Sequence, residues 1–314
     1  MAAILIGLIS SLFFSATFLV TKLMGVDGTS WAWTAALRFI LALPFLFIVV
    51  LIKSNFKSLF LSIKKHFWAW LLWGNLAGVG FYFFLSFASL FAPAWLVAAS
   101  WQLTIVVGLL LSPLFYTVIN TSNGKKKVRG KIPINRLIIS LFILLGVALM
   151  QINATNNISI KSLLLGFIPV AISTVLYPLG NRKLMDVCAG EVDSFQRSFG
   201  VSLVSMPLCI ILSFYGYAQS GIPTSNQFIQ AIILALCSGV IATITFFYAT
   251  DKAKHNLSLL AAVESTQSAI IIFTIIGSMI LLHTSYPKGL SLVGVIIITI
   301  GIFINALVKD KKVL

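Results

Sequence analysis

Glu264 is the only carboxylate that lies well inside an apolar stretch of this sequence, between LSLLAAV and STQSAIIIF. It falls about two helical turns, or roughly 10 Å, from the start of that stretch. A charge among apolar residues is costly, so the position suggests chemistry. A carboxylate there could release a proton to bind a cation and take up a proton to let the cation go. The structural alternative is a glutamate hydrogen-bonded to Ser265, Thr266, Gln267 or an arginine.

Arg38 is the complementary candidate near the start of the chain. It lies about two turns into the apolar stretch that begins near Trp31. Its guanidinium could pair with Glu264, or it could hold an anionic group of a bound molecule through two parallel hydrogen bonds. An arginine at a lipid interface, with its head group in water, is the alternative. Arg197, near the start of another apolar stretch, is a further candidate for which the interfacial interpretation is favoured.

Neutral side chains extend the set of candidates. Gln102 and Gln267 occupy comparable places in two similar stretches, where an amide can bind a solute or join two helices. Trp101 could stack on a planar cation, and Tyr82 and Tyr177 could each offer a hydroxyl group. For all of them ordinary packing is the alternative.

The sequence shows no motif for a cofactor or for covalent catalysis. A phosphate-binding loop ending in GK[ST], a nucleophile elbow, paired carboxylates and a cluster of metal ligands are all missing. The three cysteines form no CxxC pair, so neither a disulfide framework nor a zinc site is indicated. We therefore expect no cofactor and no enzymatic activity.

The composition predicts an integral membrane protein. Of the 314 residues 59% are hydrophobic and 9% are charged, and the mean hydropathy is +1.05, whereas a soluble protein carries about 25% charged residues. The net charge of +15 would suggest nucleic acid in a soluble domain. Here the basic residues lie between apolar stretches, where membrane topology accounts for them. Nucleic acid is therefore not an expected partner.

Ten stretches are long and apolar enough for a membrane-spanning helix, which needs about 20 residues. They are continuously apolar rather than alternating, which favours helices over a β-barrel. The predicted helices 1 to 10 cover residues 2–24, 31–52, 67–90, 94–117, 135–153, 163–183, 194–216, 227–250, 257–282 and 289–308.

The distribution of basic residues predicts the orientation. Lysines and arginines are concentrated after predicted helices 2, 4, 6, 8 and 10, whereas the opposite loops hold little beyond Lys161 and Lys288. Because basic loops stay in the cytoplasm, we predict a multi-pass protein of the cell membrane with both termini cytoplasmic. In this interpretation Arg182 and Lys183 begin the loop after helix 6.

One hairpin pattern occurs twice in the chain. FFLSFASLFAPAWLVAASWQ at 83–102 returns as FFYATDKAKHNLSLLAAVES at 246–265, and the first connection is uncharged whereas the second is basic. A hairpin inserted in two opposite directions would show this difference. We therefore predict an all-α membrane protein with ten transmembrane helices arranged as two inverted five-helix repeats. The first repeat takes residues 1–119 and 135–153, a basic cytoplasmic linker at 120–134 lies between its helices 4 and 5, and the second repeat takes 154–314.

These features resemble the drug/metabolite transporter superfamily. The segments SWAWTAALRFILALPF at 30–45, APAWLVAASWQLTIV at 92–106 and AAVESTQS at 261–268 are more narrowly similar to the putative multidrug resistance efflux transporter family within it. The resemblance implies that helices 1–4 and 6–9 surround a central cavity, while helices 5 and 10 support them at the periphery.

The resulting functional prediction is a secondary transporter. It would export small organic solutes or drugs by alternating access, coupled to protons, through a site formed by the candidates above. Its partners would be a small-molecule substrate, protons and membrane lipid, and it would be a monomer or a homodimer. An exporter or importer of an amino acid or another metabolite is the close alternative. A membrane enzyme acting on lipid-linked substrates would need clustered catalytic side chains, and a scaffold without transport would not need a polar interior.

Overall fold

The computed structural model describes residues 2–26, 30–91, 94–121, 124–151, 160–188, 190–281 and 288–307. Within these ranges, ten helices follow the apolar stretches of the sequence, and we number them α1 to α10. Their bounds are Ala2–Val26 (α1), Trp31–Lys53 (α2), Phe67–Ala88 (α3), Ala94–Trp101 with Leu103–Leu110 (α4), Ile134–Gln151 (α5), Ile160–Cys188 (α6), Ser194–Ser220 (α7), Ser225–Ala253 (α8), Leu257–Ser265 with Thr266–Ser268 and Ala269–Leu281 (α9), and Leu290–Leu307 (α10).

Helix length and composition identify a multi-pass membrane protein of the all-α class. In the described ranges seven helical stretches, in α1, α2, α3, α6, α7, α8 and α9, are long and apolar enough to cross a membrane. The apolar parts of α4, α5 and α10 are shorter. The outer surface is apolar as well, since Leu51, Phe214 and Phe303 are 62%, 71% and 67% exposed. A surface of this kind suits lipid rather than water.

The longest interface joins α2 to α7, which run antiparallel. Near one end Ser30 Oγ donates a hydrogen bond to Gln219 Oε1 at 3.0 Å, and near the other Ser54 Oγ donates to Asp193 Oδ2 at 2.5 Å. The first contact places the beginning of α2 beside the end of α7, and the second places the end of α2 beside the beginning of α7.

A second antiparallel pair is formed by α5 and α10. Arg136 Nη1 donates to Asn305 Oδ1 at 2.9 Å at one end of the pair. Further along, Gly146 lies against the backbone of Gly294, so the two helices approach closely. Neither helix contributes to the cavity described below.

The remaining long helices pack across the middle of the bundle. α1 runs antiparallel to α8. Two hydrogen bonds of 2.8 Å show this direction, one from Ser10 Oγ to the backbone oxygen of Ala242 and one from Thr17 Oγ1 to Ser238 Oγ. α3 packs on α6, where Gly180 lies against the backbone of α3. α9 also packs on α1, and α4 on α6.

Four of these helices depart from regular α-helical geometry near their middles. α3 contains two π-helical segments, Trp70–Gly74 and Leu76–Gly80, and α8 contains one at Ala235–Ala242. α4 is interrupted at Gln102, and α9 passes through a 3-10 turn at Thr266–Ser268. Such irregular turns release backbone groups from the helical hydrogen-bond ladder and recur at functional sites.

A short amphipathic helix, Phe56–Lys65, precedes α3 and was not part of the sequence prediction. It begins at Asn55, whose side-chain oxygen accepts a hydrogen bond from the N–H of Ser58, as an N-cap does. It buries Leu59 and Ser62 and exposes its lysines. The sequence prediction treated this stretch only as a basic loop, because ten residues are too few to cross a membrane.

Part of the segment predicted as a linker at 120–134 forms β-strand structure. Strand β1 (Tyr116–Thr121) pairs antiparallel with β2 (Gly124–Arg129), and α5 begins at Ile134. The β-branched run Thr117, Val118, Ile119 explains the strand, because such side chains favour the extended backbone. The predicted helix at 94–117 therefore ends earlier, at Leu110.

Candidate functional site

A buried cavity lies where helices from both halves of the chain meet. Side chains of α1, α2, α3, α4, α6, α8 and α9 line it. The volume that the centres of water molecules can occupy in this cavity is about 30 Å³. This space admits about two waters and excludes a drug-sized molecule. The lining residues are Phe14, Thr17, Phe18, Arg38, Phe81, Tyr82, Leu85, Trp101, Tyr177, Ser238, Gln267 and Ile270.

A second, smaller cavity adjoins the first. It offers about 20 Å³ by the same measure, and it shares Thr17, Phe18, Tyr82 and Leu85 with the first cavity. It continues toward Ser89, just beyond the C-terminal end of α3. The two cavities together mark a direction from the middle of the bundle toward the end where α3 finishes.

Arg38 places a cation at the first cavity, and its side chain is only 3% exposed. Its Nε and Nη2 atoms donate to Ser238 Oγ at 3.2 and 3.1 Å, and Nη2 also donates to the backbone oxygen of Ser238 at 3.3 Å. The guanidinium carbon lies 4.6 Å from the ring centre of Tyr82 and 4.7 Å from that of Phe39. These cation–π contacts offset part of the lost hydration. In the described part of the chain Arg38 forms no ion pair.

Aromatic rings form one wall of the same cavity. The ring centre of Tyr177 lies 4.7 Å from that of Phe81 and 5.7 Å from that of Trp101. Two polar atoms at this wall have no hydrogen-bond partner among the described residues, the hydroxyl of Tyr177 and the Nε2 atom of Gln267. Both side chains are buried, and both line the cavity. The structure thus brings Arg38 and Tyr82 together with these three predicted candidates.

Gln102 does not line the cavity, although it lies at the interruption of α4. Its Nε2 donates to the backbone oxygen of Ala98 at 3.2 Å, and its Oε1 has no partner among the residues that the structure describes. Gln267 lies at the matching irregularity of α9. The two glutamines therefore occupy similar places along their helices, but only Gln267 reaches the cavity.

Glu264 forms a buried, two-point ion pair with Arg182. Arg182 Nε donates to Glu264 Oε1 at 2.8 Å and Nη2 donates to Oε2 at 2.5 Å, and the two side chains are 1% and 2% exposed. Gly108 of α4 leaves room for the pair, since a Cβ atom there would collide with Glu264 Oε2. The considered pairing of Glu264 with Arg38 is not formed in this structure.

The prediction that Arg182 begins a loop is wrong. α6 continues to Cys188, and Arg182 lies buried inside it. The basic pair Arg182–Lys183 predicts a loop because lysine and arginine usually lie outside membrane spans. A signal for the correct placement was present in the sequence, because Lys183-Leu184-Met185 matches Lys22-Leu23-Met24 near the end of an apolar stretch.

The interfacial interpretation of Arg197 is also wrong, since this side chain is 1% exposed. Its Nη1 donates to Asp251 Oδ1 at 2.6 Å and its Nη2 donates to the backbone oxygen of Phe247 at 2.9 Å. Its guanidinium carbon lies 4.6 Å from the ring centre of Phe247. Arg197 therefore joins α7 to α8, and it does not line the cavity.

Ser238 is a cavity residue that the sequence prediction missed. Its Oγ accepts hydrogen bonds from Thr17 Oγ1 and from Arg38, and it lies in the π-helical segment of α8. A single serine in an apolar stretch is too common to stand out. The only signal for a polar contact with this serine was the predicted candidate Arg38, which lies 200 positions away in the sequence.

Comparison with known proteins agrees with this architecture. The chain is 41% identical over 312 residues to "Uncharacterized protein YjlA" of Bacillus subtilis (strain 168), an alignment that covers 99% of this chain and 96% of that protein. It is 43% identical over 268 residues to "Uncharacterized 42.1 kDa protein in intracellular alkaline protease 3'region" of Shouchella clausii, which covers 85% of this chain and 70% of the relative. A solved crystal structure shares the fold with a TM-score of 0.71 at 14% identity, over 98% of this chain and 96% of that one.

The family comparison covers nearly the whole sequence. Residues 1–311 match the family described as "Putative multidrug resistance efflux transporter" (EmrE). The resemblance expected from the three motif segments is thereby confirmed, and the matched region includes every helix described above. The chain belongs to the EmrE-like putative multidrug resistance efflux transporter family, a family of membrane transporters.

Proposed function

We propose that the protein is a secondary active transporter that exports small organic solutes by alternating access at the central cavity. The observation that carries the proposal is the central cavity, which helices from both halves of the chain line together and whose lining residues include Arg38 and the unpaired polar atoms of Tyr177 and Gln267. A scaffold would gain nothing from unpaired polar groups in its centre, because each of them costs free energy of burial. A transporter needs such groups to bind its solute.

The helix packing supports two inverted five-helix repeats. If each helix is exchanged for the one five places later, the contacts of α1 with α8 and α9 become those of α6 with α3 and α4. The pairs α2–α7 and α5–α10 map onto themselves. Both of these pairs are antiparallel. This is expected when two repeats, each with an odd number of helices, enter the membrane in opposite directions.

The helix irregularities follow the same correspondence. The π-helical segments of α3 match the one in α8, and the interruption of α4 matches the 3-10 turn of α9. In inverted-repeat transporters, discontinuous helices near the membrane midplane form the substrate site. On this proposal, the four irregular helices are the ones that bend when the cavity opens.

The size of the cavity implies that this conformation is closed. Pockets for small organic ligands have volumes of about 300–1,000 Å³, far above the space that two waters occupy here. Loading a solute therefore requires the two halves to separate on one side. We propose that the basic end of the bundle is cytoplasmic, so that the second cavity points toward the outside.

We propose Glu264 as the residue that couples transport to protons. It lies one helical turn nearer to the basic end than Gln267, and its pair with Arg182 joins α9 to α6 next to the cavity. A proton on Glu264 would remove the charge that compensates Arg182. The buried guanidinium would then favour a conformation in which water reaches it.

Transport of an amino acid or another metabolite, in either direction, is the second candidate function. The specific observation in its favour is the charge of the cavity, which contains the cation of Arg38 and no carboxylate among its lining residues. A site for cationic drugs would be expected to carry the opposite charge.

A reconstituted flux assay tests the proposal. Purified protein in liposomes would be screened with a panel of labelled organic cations, anions, zwitterions and neutral solutes, with and without a pH gradient. We expect flux of at least one class that depends on the protein and rises with the gradient. Glu264→Gln should abolish the gradient dependence, whereas Glu191→Gln, at an exposed carboxylate paired with Lys65, should retain it.

Two results would contradict this account. Flux no greater than in protein-free liposomes across the panel would contradict transport. If the flux through Glu264→Gln still depends on the pH gradient as in the wild type, the transport proposal is retained but Glu264 is not the coupling residue.

A further inference from the structure

Hydrogen-bond donors without matching acceptors occur among the residues that line the central cavity. Arg38 uses Nε and Nη2 on Ser238, and its Nη1 has no hydrogen-bond partner among the described residues. The Nε2 atom of Gln267 is a donor only, and it is unpaired within the same described ranges. The hydroxyl of Tyr177 is likewise unpaired. All three side chains are at least 97% buried and line one cavity.

The acceptors nearest to Arg38 are already occupied. Ser238 Oγ accepts from Thr17 Oγ1 at 2.8 Å in addition to the two donors of Arg38. The backbone oxygen of Ser238 accepts from Thr243 Oγ1 at 2.9 Å and from Arg38. The protein therefore offers no further oxygen of this serine to the remaining guanidinium nitrogen.

The described carboxylates lie elsewhere. Glu264 and Asp251 are engaged by Arg182 and Arg197. Asp193 caps α7, Glu191 contacts Lys65 at the surface, and Asp186 has an exposed side chain. The positive charge of Arg38 is thus compensated in this part of the chain only by a serine and by aromatic rings. A buried cation of this kind is costly unless a counter-charge joins it.

We propose that the transported solute is a small organic acid or zwitterion whose carboxylate binds Arg38 Nη1 together with the Tyr177 hydroxyl and the Gln267 amide. This inference rests on the proposed transport function and names its substrate class. A carboxylate has two acceptor oxygens with about four lone-pair sites, which is enough in number for the three donors. A cationic solute would meet the guanidinium without a carboxylate beside it.

The remainder of the solute would contact the aromatic wall. Phe81, Trp101 and Tyr177 lie with their ring centres within 5.7 Å of one another. A flat apolar group attached to the carboxylate would pack against these rings. An aromatic acid is therefore a suitable probe.

Direct binding separates this inference from the transport proposal. Benzoate, benzamide and benzylamine share one ring and differ in the head group, which is anionic, neutral or cationic at neutral pH. Isothermal titration calorimetry on the purified full-length protein in detergent gives the affinity of each. We expect benzoate to bind at least about tenfold more tightly than benzamide, and benzylamine to bind most weakly, as charge-assisted hydrogen bonds imply.

Two variants test the assigned donors of Arg38 and Tyr177, and a third serves as the control. Arg38→Gln should weaken benzoate binding by about 10- to 100-fold and leave benzamide nearly unchanged. Tyr177→Phe removes one oxygen atom and should weaken benzoate binding by about 2- to 10-fold. Lys57→Gln removes an exposed positive charge from the short helix and should leave all three affinities unchanged. Size-exclusion profiles report whether each variant is folded, and Tyr177→Phe keeps the test valid if Arg38→Gln is not.

The possible results are distinct. Equal or tighter binding of benzylamine, binding of none of the probes, or a benzoate affinity that neither Arg38→Gln nor Tyr177→Phe reduces would overturn the inference. Protein-dependent uptake of benzylamine but not benzoate into proteoliposomes would keep the transporter and reject the acid. Benzoate binding that depends on Arg38, without uptake of any solute, would keep the site and reject transport.

Discussion

Breaking the buried pair of Arg182 and Glu264 should destabilise the protein in a way that removing both charges largely repairs. Arg182→Gln leaves a carboxyl group that is 2% exposed and has lost both of its hydrogen bonds of 2.8 and 2.5 Å. Loss of one partner from a buried pair costs about 3–5 kcal/mol, whereas replacing both with neutral groups is often close to neutral. The double variant Arg182→Gln/Glu264→Gln should therefore be the more stable of the two.

The expected change in melting temperature follows from the size of the chain. Unfolding entropy near the midpoint is about 2.1 cal/mol/K per residue, which for 314 residues gives about 0.7 kcal/mol/K. A loss of about 3–5 kcal/mol then corresponds to a fall of about 5–8 °C in Tm. The double variant should recover more than half of that fall.

Thermal unfolding of the detergent-solubilised protein, followed by intrinsic tryptophan fluorescence, measures these shifts. The exposed pair of Lys65 and Glu191, whose side chains are 61% and 51% exposed at 3.4 Å, provides the control. Lys65→Gln should change Tm by no more than about 1–2 °C, because exposed pairs contribute about 1 kcal/mol or less. The reasoning fails if the single and double variants at the buried pair have the same Tm, or if Arg182→Gln has the Tm of the wild type.

Three further predictions concern other contacts. Gly108→Val should lower Tm by several degrees, because its side chain would occupy the space of the buried carboxylate; a wild-type Tm would contradict this packing. Asp251→Asn should be more destabilising in the same melting assay than Arg197→Gln, because it leaves an arginine that is 1% exposed without its counter-charge, whereas the aspartate left by Arg197→Gln is 20% exposed and can be rehydrated; the reverse order would refute that account. Single cysteines at Lys57 and Ile222, introduced after replacement of the three native cysteines, should react with an impermeant maleimide from opposite membrane faces, and labelling of both from one face would exclude the proposed topology.

The helices could be predicted closely because apolar length alone specifies them. The stretch predicted at 31–52 is Trp31–Lys53, and the one predicted at 257–282 is Leu257–Leu281. The largest error is at α4, where the predicted end at 117 lies seven residues beyond Leu110. At α6 the predicted end at 183 lies five residues before Cys188. The error at α6 arose because the charge of Arg182 is neutralised by a residue 82 positions away, which local hydropathy does not register.

The candidate site was predicted in part. Arg38 and Gln267 could be selected because charged and amide groups are unusual in membrane spans, and the structure brings them to one cavity. The partner of Glu264 could not be chosen from the sequence, since that choice depends on which helices are neighbours. Ser238 was missed for the same reason, because its role comes from the geometry of α8 rather than from its residue type.

The π-helical segment Ala235–Ala242 of α8 implies that the length of this helix matters as much as its composition. A π-helical turn contains about one more residue than a turn of a regular α-helix. Each residue of an α-helix corresponds to about 100° of rotation about the helix axis. Deleting one residue there would turn the rest of α8 by about that angle. Asp251 would then point away from Arg197, although every hydrophobicity profile of the chain would look unchanged.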